Sequence, residues 1–244
     1  MHAIIMGAGE GTRMWPISTM VNKHLLKLGG KPVIRIIVDR ICEARIITQN
    51  EVTIVCNAKD LKDYQWEFRD TNVNIQKVEA AGTADEFYNA LLETPAKNED
   101  ILLHYGDSIT DLNYGLLIEV WIKHQPINAL IPVTQNIKHD YSQVMFDSKT
   151  SQVTEIVEKP NLTAPAWTGV GIFNAGYFIR LYTKLTEGDT YFHKNIDFGF
   201  HLLPAMTKEG QLFAYQYDGQ WFDVGNLRSY LKLYQEYQNK DLNL

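Results

Sequence analysis

The sequence predicts an α/β protein built on a mixed, mostly parallel sheet, and three observations carry that prediction. Short β-branched runs alternate with stretches of helical spacing through the first half, closely spaced strands follow, and helical spacing returns near the end. The run from His2 to Met6, closed by Gly7, reads as a buried strand that feeds a Gly/Pro-punctuated loop over about residues 8–18. From 31 to 46, Val33, Ile34, Ile37, Val38 and Ile41 keep helical spacing, with Pro32 near the first turn where its missing N–H costs little. Residues 51–56 and 73–78 read as strands. Gly82 opens a helix to about Leu92, and a strand over 101–105 and a helix over 111–123 complete the βαβ pattern. Strands are expected at 127–133, 141–146, 152–157 and 169–173, with helices at 195–208 and 226–237.

A chain of 244 residues is long enough for one large core, and 45% hydrophobic with 21% charged side chains is a globular composition. No linker-like tract, low-complexity segment or repeat divides it, so 1–244 reads as one domain, with 1–135 supplying one binding face and 136–244 the other. The 23 basic and 29 acidic side chains leave a net charge of −6, which argues against coating a nucleic-acid backbone. Any polyanionic substrate must therefore be met by locally placed cations. Cys42 and Cys56 lie in apolar contexts without a CxxC spacing, so neither a disulfide framework nor a structural zinc is expected. The seven histidines show no paired-ligand spacing and read as scattered structural or surface residues. No run of 18 apolar residues exists and the apolar start is too short for a signal segment, so a cytoplasmic protein without a membrane partner is expected.

The chemistry concentrates in Gly7-Ala8-Gly9-Glu10-Gly11-Thr12-Arg13-Met14-Trp15-Pro16, directly after the first strand. Glycines there permit positive φ and close backbone approach, so successive N–H groups can form an anion nest, to which Arg13 adds a bidentate phosphate donor. A Walker loop would need Lys-Ser/Thr after its last glycine, and a dinucleotide loop would open a helix that Pro16 breaks. A plain turn is the remaining alternative. Lys23 is a compact charge close enough in sequence to return over the loop, although alone it reads as a solvated surface lysine. Asp107 follows a buried strand at its carboxyl end, where ligands of open α/β sheets bind, and Asp223 is a second lone acid after an apolar, strand-like segment. Either acid alone could be a turn cap; together they have the chemistry to hold one Mg²⁺ while leaving positions for phosphate oxygens and water.

Taken together, these motifs resemble the sugar-1-phosphate nucleotidyltransferases. Residues 9–16 are similar to that family's G-x-G-T-R-L-x-P signature, and Asn22-Lys23 with Gly29-Gly30-Lys31-Pro32 to its P-K and G-x-K-P elements. Gly82-Thr83-Ala84 resembles its base-facing G-T-A turn and Gly106-Asp107 its G-D metal motif. Glu158-Lys159-Pro160 resembles its E-K-P sugar motif, Thr168-Gly169 its sugar-facing glycine, and the segment from Trp221 to Gly225 its W-x-D-V-G second metal motif.

The resemblance implies a Rossmann-like sheet with helices on both faces, a nucleotide-binding half over 1–135 and a sugar-phosphate half over 136–244. It implies in-line attack of a sugar-1-phosphate on the α-phosphate of a nucleoside triphosphate, releasing pyrophosphate, with Mg²⁺ or another divalent metal as cofactor. On the matching positions, Arg13, Lys23 and Asp107 would be catalytic, and Asp107 and Asp223 would hold the metal. Met6, Gly7, Ala8, Gly9, Gly11, Thr12, Lys77, Gly82 and Thr83 would bind nucleotide. Ser142, Glu158, Lys159 and Gly169 would bind the sugar phosphate. The pattern departs from the family at three places. Lys77 stands five residues before the turn glycine, where pyrimidine-using relatives often have Gln and guanylyl relatives an acid. Tyr141-Ser142-Gln143 replaces a Y/F-G-V segment, and Gly171 replaces a frequent tyrosine. The acceptor is therefore open to an unusual sugar or a choline-phosphate-like alcohol, with Trp167, Tyr177 and Trp221 as core or pocket wall. A metal-dependent glycosyltransferase of related fold is the rival enzyme, although Gly106-Asp107-Ser108-Ile109 lacks its usual Asp-x-Asp. Segment 22–26 is most similar to short thymidylyltransferases, which favours a pyrimidine nucleotide with a hexose-1-phosphate; subunit number, homo-oligomer included, is left open.

Overall fold

The computed structural model describes residues 1–79, 82–135, 137, 143–158, 160–161, 164–187 and 195–238. In the first half the strands are β1 (His2–Met6), β2 (Lys27–Leu28), β3 (Lys31–Pro32), β4 (Val52–Cys56), β5 (Asn74–Lys77), β6 (Asp100–Tyr105), β7 (Ser108–Thr110) and β8 (Ala129–Thr134). The second half contributes β9 (Gln143–Phe146), β10 (Val153–Val157), β11 (Ala166–Trp167), β12 (Val170–Asn174), β13 (Leu212–Gln216) and β14 (Trp221–Asp223). The helices are α1 (Val33–Glu43), α2 (Leu61–Glu67), α3 (Thr83–Glu93), α4 (Tyr114–Lys123), α5 (Ala175–Thr186), α6 (Leu203–Lys208) and α7 (Leu227–Gln238).

The main sheet runs β5-β4-β1-β6-β12-β8-β13, with β11 on the far end of β8. β5, β4, β1 and β6 are mutually parallel, and only β12 and β11 run against the direction shared by β6, β8 and β13. Full burial on both faces explains why β1 and β4 read as continuous apolar runs. The pleat divides them: Ala3 and Ile5 join a core with α1, α4 and Leu233 of α7, whereas Ile4 and Met6 join a second core with α3, α5 and α6. The sheet is thus mixed, mostly parallel and covered by helices on both faces. Among the described residues no helix is long and apolar enough to cross a membrane.

Differences from the sequence reading have local causes. Helix α1 begins at Val33 because Lys31 and Pro32 pair with Leu28 and Lys27, and the Val33 N–H donates to the Leu26 carbonyl at 2.9 Å. Helix α4 begins at Tyr114 because residues 108–110 form β7 and the Asn113 side chain accepts the Leu116 N–H at 3.0 Å. The helix expected over 195–208 starts instead as a wide π-turn at Phe198–Leu202 before α6. Helices α2 and α5 and strand β13 were not foreseen; α5 hides its start signal in Asn174, whose side chain accepts the Tyr177 N–H at 2.9 Å.

Phe87 organises the second core, with its ring 4.7 Å from Phe178 edge to face, 5.5 Å from Phe198 and 6.3 Å from Phe173. Phe87→Ala is expected to lower unfolding stability by about 3–5 kcal/mol in urea titrations, and a loss under 1 kcal/mol would show that this face is not tightly packed.

Candidate active site

The carboxyl ends of β1 and β6 open into a cavity of about 340 Å³, to which both halves of the chain contribute. From the first half it is lined by Met6, Gly9, Arg13, Lys23, Thr83 and Asp107, and from the second by Trp167, Gly169, Trp221 and Asp223.

Pairing of two short strands brings the two acids together. β7 starts directly after Asp107 and β14 ends on Asp223, and they pair antiparallel with Asp223 opposite Ser108. The Val224 N–H then donates to the Asp107 carbonyl at 2.7 Å. Lys23 Nζ donates to Asp107 Oδ2 at 2.5 Å, with both side chains largely buried. Burial opposes ionisation of Asp107, but the Lys23 ammonium overcomes it and holds the carboxyl below its ordinary range. Asp223 behaves oppositely: burial and the charge of Asp107 raise it, despite the Gly225 N–H donating to Oδ1 at 2.7 Å and the cations of Arg13 and Lys23. Arg13 lies over this turn, since a Cβ on Gly225 would fall 2.6 Å from its Nη2 and 2.7 Å from Asp223 Oδ1.

The glycine loop divides its amides. Gly7 N–H donates to the Val55 carbonyl at 2.9 Å and Ala8 N–H to Glu86 Oε1 at 3.1 Å, so these two are already engaged. Among the described residues, the N–H groups of residues 9–13 take no protein acceptor, and Gly11 sits at φ +66°. The run of amides without a protein acceptor therefore begins at Gly9, two residues after the loop's first glycine; Gly7, Ala8, Gly11 and Thr12 stand outside the lining. Gly7 is packed against Val55 and Tyr64, where a Cβ would come within 2.7 Å of the Val55 carbonyl oxygen.

Gly82 likewise stands behind the lining because its backbone abuts the Ile196 carbonyl, where no Cβ fits. Thr83, next to it, donates to Asp197 Oδ2 at 2.8 Å. Gly169 requires glycine twice over, with φ +75° and a Cβ position 2.8 Å from Ser108 Oγ. Lys77 is not in the cavity: it ends the edge strand β5, is exposed, and leans 3.9 Å from Glu79. Glu158 is also outside it, exposed at the end of the β9–β10 ribbon. Ser142 and Lys159 lie outside the described residues. Trp167 and Trp221 are cavity wall, whereas Tyr177 is core.

Four lining residues escaped the sequence reading: His24, Glu86, Tyr105 and Ser108. His24 is fully buried, Nδ1 lying 2.9 Å from Tyr64 Oη, and burial pushes it down to about 3, so it is neutral. Glu86 is one helical turn after Thr83, and that spacing was its only signal. Burial raises its carboxyl to about 7, against the Ala8 N–H and Lys23, which pull it down.

No group of three or more His, Cys, Asp or Glu capable of caging a metal occurs among the described residues. Two acids with one raised by the other are nevertheless a donor set that a divalent cation would relieve, its remaining positions falling to phosphate oxygens and water.

Because the Glu86 carboxyl is raised in the folded chain, folding favours its proton. That stability is present below about pH 4.5 and is lost as pH rises through about 7. Glu86→Gln should leave the melting temperature near wild type at pH 4.5 and raise it by several degrees at pH 8; equal melting curves at pH 8 would contradict the burial of this carboxyl.

A model of the nucleotidyl transferase family matches residues 2–240. The catalytic subunit beta of mannose-1-phosphate guanylyltransferase from Xenopus tropicalis is 22% identical over 238 residues, covering 95% of this chain and 63% of the relative. A bifunctional sugar-1-phosphate nucleotidylyltransferase/acetyltransferase from Sulfurisphaera tokodaii is 22% identical over 225 residues, covering 92% and 52%. This chain thus spans about half to two thirds of the length of these relatives. Among solved structures, a putative glucose-1-phosphate thymidylyltransferase from Bacillus anthracis superposes with TM-score 0.73 at 19% identity, over 100% of this chain and 96% of the other. A UDP-glucose pyrophosphorylase complexed with UDP-glucose superposes with TM-score 0.70 at 20% identity, over 98% of each chain.

Proposed function

This chain belongs to the nucleotidyl transferase family, and from that membership we propose that it joins a nucleoside triphosphate to a sugar-1-phosphate, giving a nucleotide sugar and pyrophosphate. One observation carries the reading: Arg13, Lys23, Asp107 and Asp223 line a single cavity, beside a run of loop amides that take no protein acceptor. The relatives named for mannose-1-phosphate and glucose-1-phosphate support the substrate class.

Both reactants are anions, so the barrier is dominated by holding phosphates in line and neutralising charge, and no protein nucleophile is needed. Asp107 and Asp223 would hold Mg²⁺, which when bound supplies positive charge at the reacting phosphates. The Gly9 amide and the Arg13 guanidinium, both in the cavity lining, would face the anionic leaving group, where fixed donors stabilise developing charge. Lys23, held by Asp107, presents its ammonium beside the reacting phosphates. Gly169, packed against Tyr105 and Ser108, Trp167 and Trp221 would form the wall on the sugar side of the cavity.

A matrix of ATP, CTP, GTP, UTP and dTTP against phosphorylated sugars and choline phosphate, read by pyrophosphate release, tests the reaction and identifies both substrates. Silence across the matrix with Mg²⁺ present would refute it. Asp107→Asn and Asp223→Asn are each expected to lower turnover by roughly 10²–10³-fold with melting curves retained. Normal Mg²⁺-dependent turnover in both variants would remove the metal assignment.

Gly225→Ala places a methyl against movable side-chain ends, so the fold should survive while Arg13 and Asp223 shift. Turnover is expected to drop by about 10²-fold, which steady-state kinetics beside a melting curve would check.

A further inference from the structure

The glutamate on the first turn of α3 is unused by the reaction outlined above. Glu86 is 7% exposed and lines the cavity. Its Oε1 accepts the Ala8 N–H at 3.1 Å, which fixes the carboxyl plane against the glycine loop. Oε2 takes no hydrogen bond among the described residues and is not an enclosed orphan atom, so it opens on the cavity. An ionised carboxylate there would oppose a polyphosphate. A neutral carboxyl would instead carry an O–H into the space the ligand fills, while its carbonyl oxygen still accepts from Ala8.

Resting on the nucleotidyl-transfer reading, we propose that Glu86 contacts the bound nucleotide as a neutral acid, donating its O–H from Oε2 to an acceptor of the nucleotide. A proton is taken from solvent whenever nucleotide enters the site with Glu86 ionised. The surroundings favour this form: burial raises the carboxyl to about 7 and Asp107 raises it further, opposed by the Ala8 N–H and the Lys23 ammonium, which is engaged by Asp107. The arriving anion adds to the upward push. The other titratable groups around it are Tyr105, Tyr64 and Cys56, all raised by burial and silent near neutrality, with the Cys56 thiol at about 12.

The test is calorimetric binding of ATP, CTP, GTP, UTP and dTTP with Mg²⁺ and no sugar phosphate, between pH 7.5 and 8.5, in two buffers of different ionisation enthalpy. For the wild type, affinity should fall by up to about tenfold per pH unit with uptake of about one proton at pH 8. Glu86→Gln always presents an N–H donor, so its affinity should be independent of pH, without proton uptake, and tighter than wild type at pH 8.5. Glu86→Ala should bind more weakly throughout the range; if it fails to fold, Glu86→Gln alone decides. Wild-type binding without a pH slope, or a slope that persists in Glu86→Gln, overturns the role of Glu86 and leaves nucleotidyl transfer standing. Failure of all five nucleotides to bind the wild type overturns both.

Discussion

Two carboxylates that must share one partly buried cavity are the constraint around which this structure is arranged. Burial penalises the ionised forms of Asp107 and Asp223, and the charge of Asp107 adds to the penalty on Asp223. The chain answers unequally. It gives Asp107 a direct ammonium partner in Lys23, while the Arg13 guanidinium beside Asp223 sits on an exposed loop and does not bring that acid down. Further positive charge is withheld, because His24 is buried and neutral next to Lys23. In a protein of net charge −6, cations are spent where anions must be accommodated.

Backbone pairing, more than side-chain packing, delivers those groups. Parallel strands all present their carboxyl ends on one edge, so Met6 and the Gly106-Asp107 turn emerge side by side, the Gly106 N–H bonding to the Met6 carbonyl at 2.9 Å. Gly106 fits there because a Cβ would lie 2.7 Å from that carbonyl oxygen. The β7–β14 ribbon then carries the second acid to the first.

The buried parallel strands were legible because a strand covered on both faces has no polar alternation to confuse it. Helix α5 was not: Gly176 and a series of aromatic and β-branched residues lower its propensity, and packing on the sheet forms it regardless. Asp107 and Asp223 stood out as acids ending apolar runs. Glu86 did not, since an acid in the first turn of a helix is already explained by the helix dipole. Lys77 stands apart from the cavity for a geometric reason: β5 is the edge of the sheet, with β4 between it and β1. The loop amides without a protein acceptor begin only at Gly9, because tertiary partners claim Gly7 and Ala8, which no local rule reveals.

The Val224 to Asp107 hydrogen bond ties the rear of the cavity across the two halves of the chain. Opening the cleft at this point would break that bond and the β7–β14 pairing beside it. The two acids are thereby spaced by main-chain pairing of the β7–β14 ribbon and not by any bond between their own side chains.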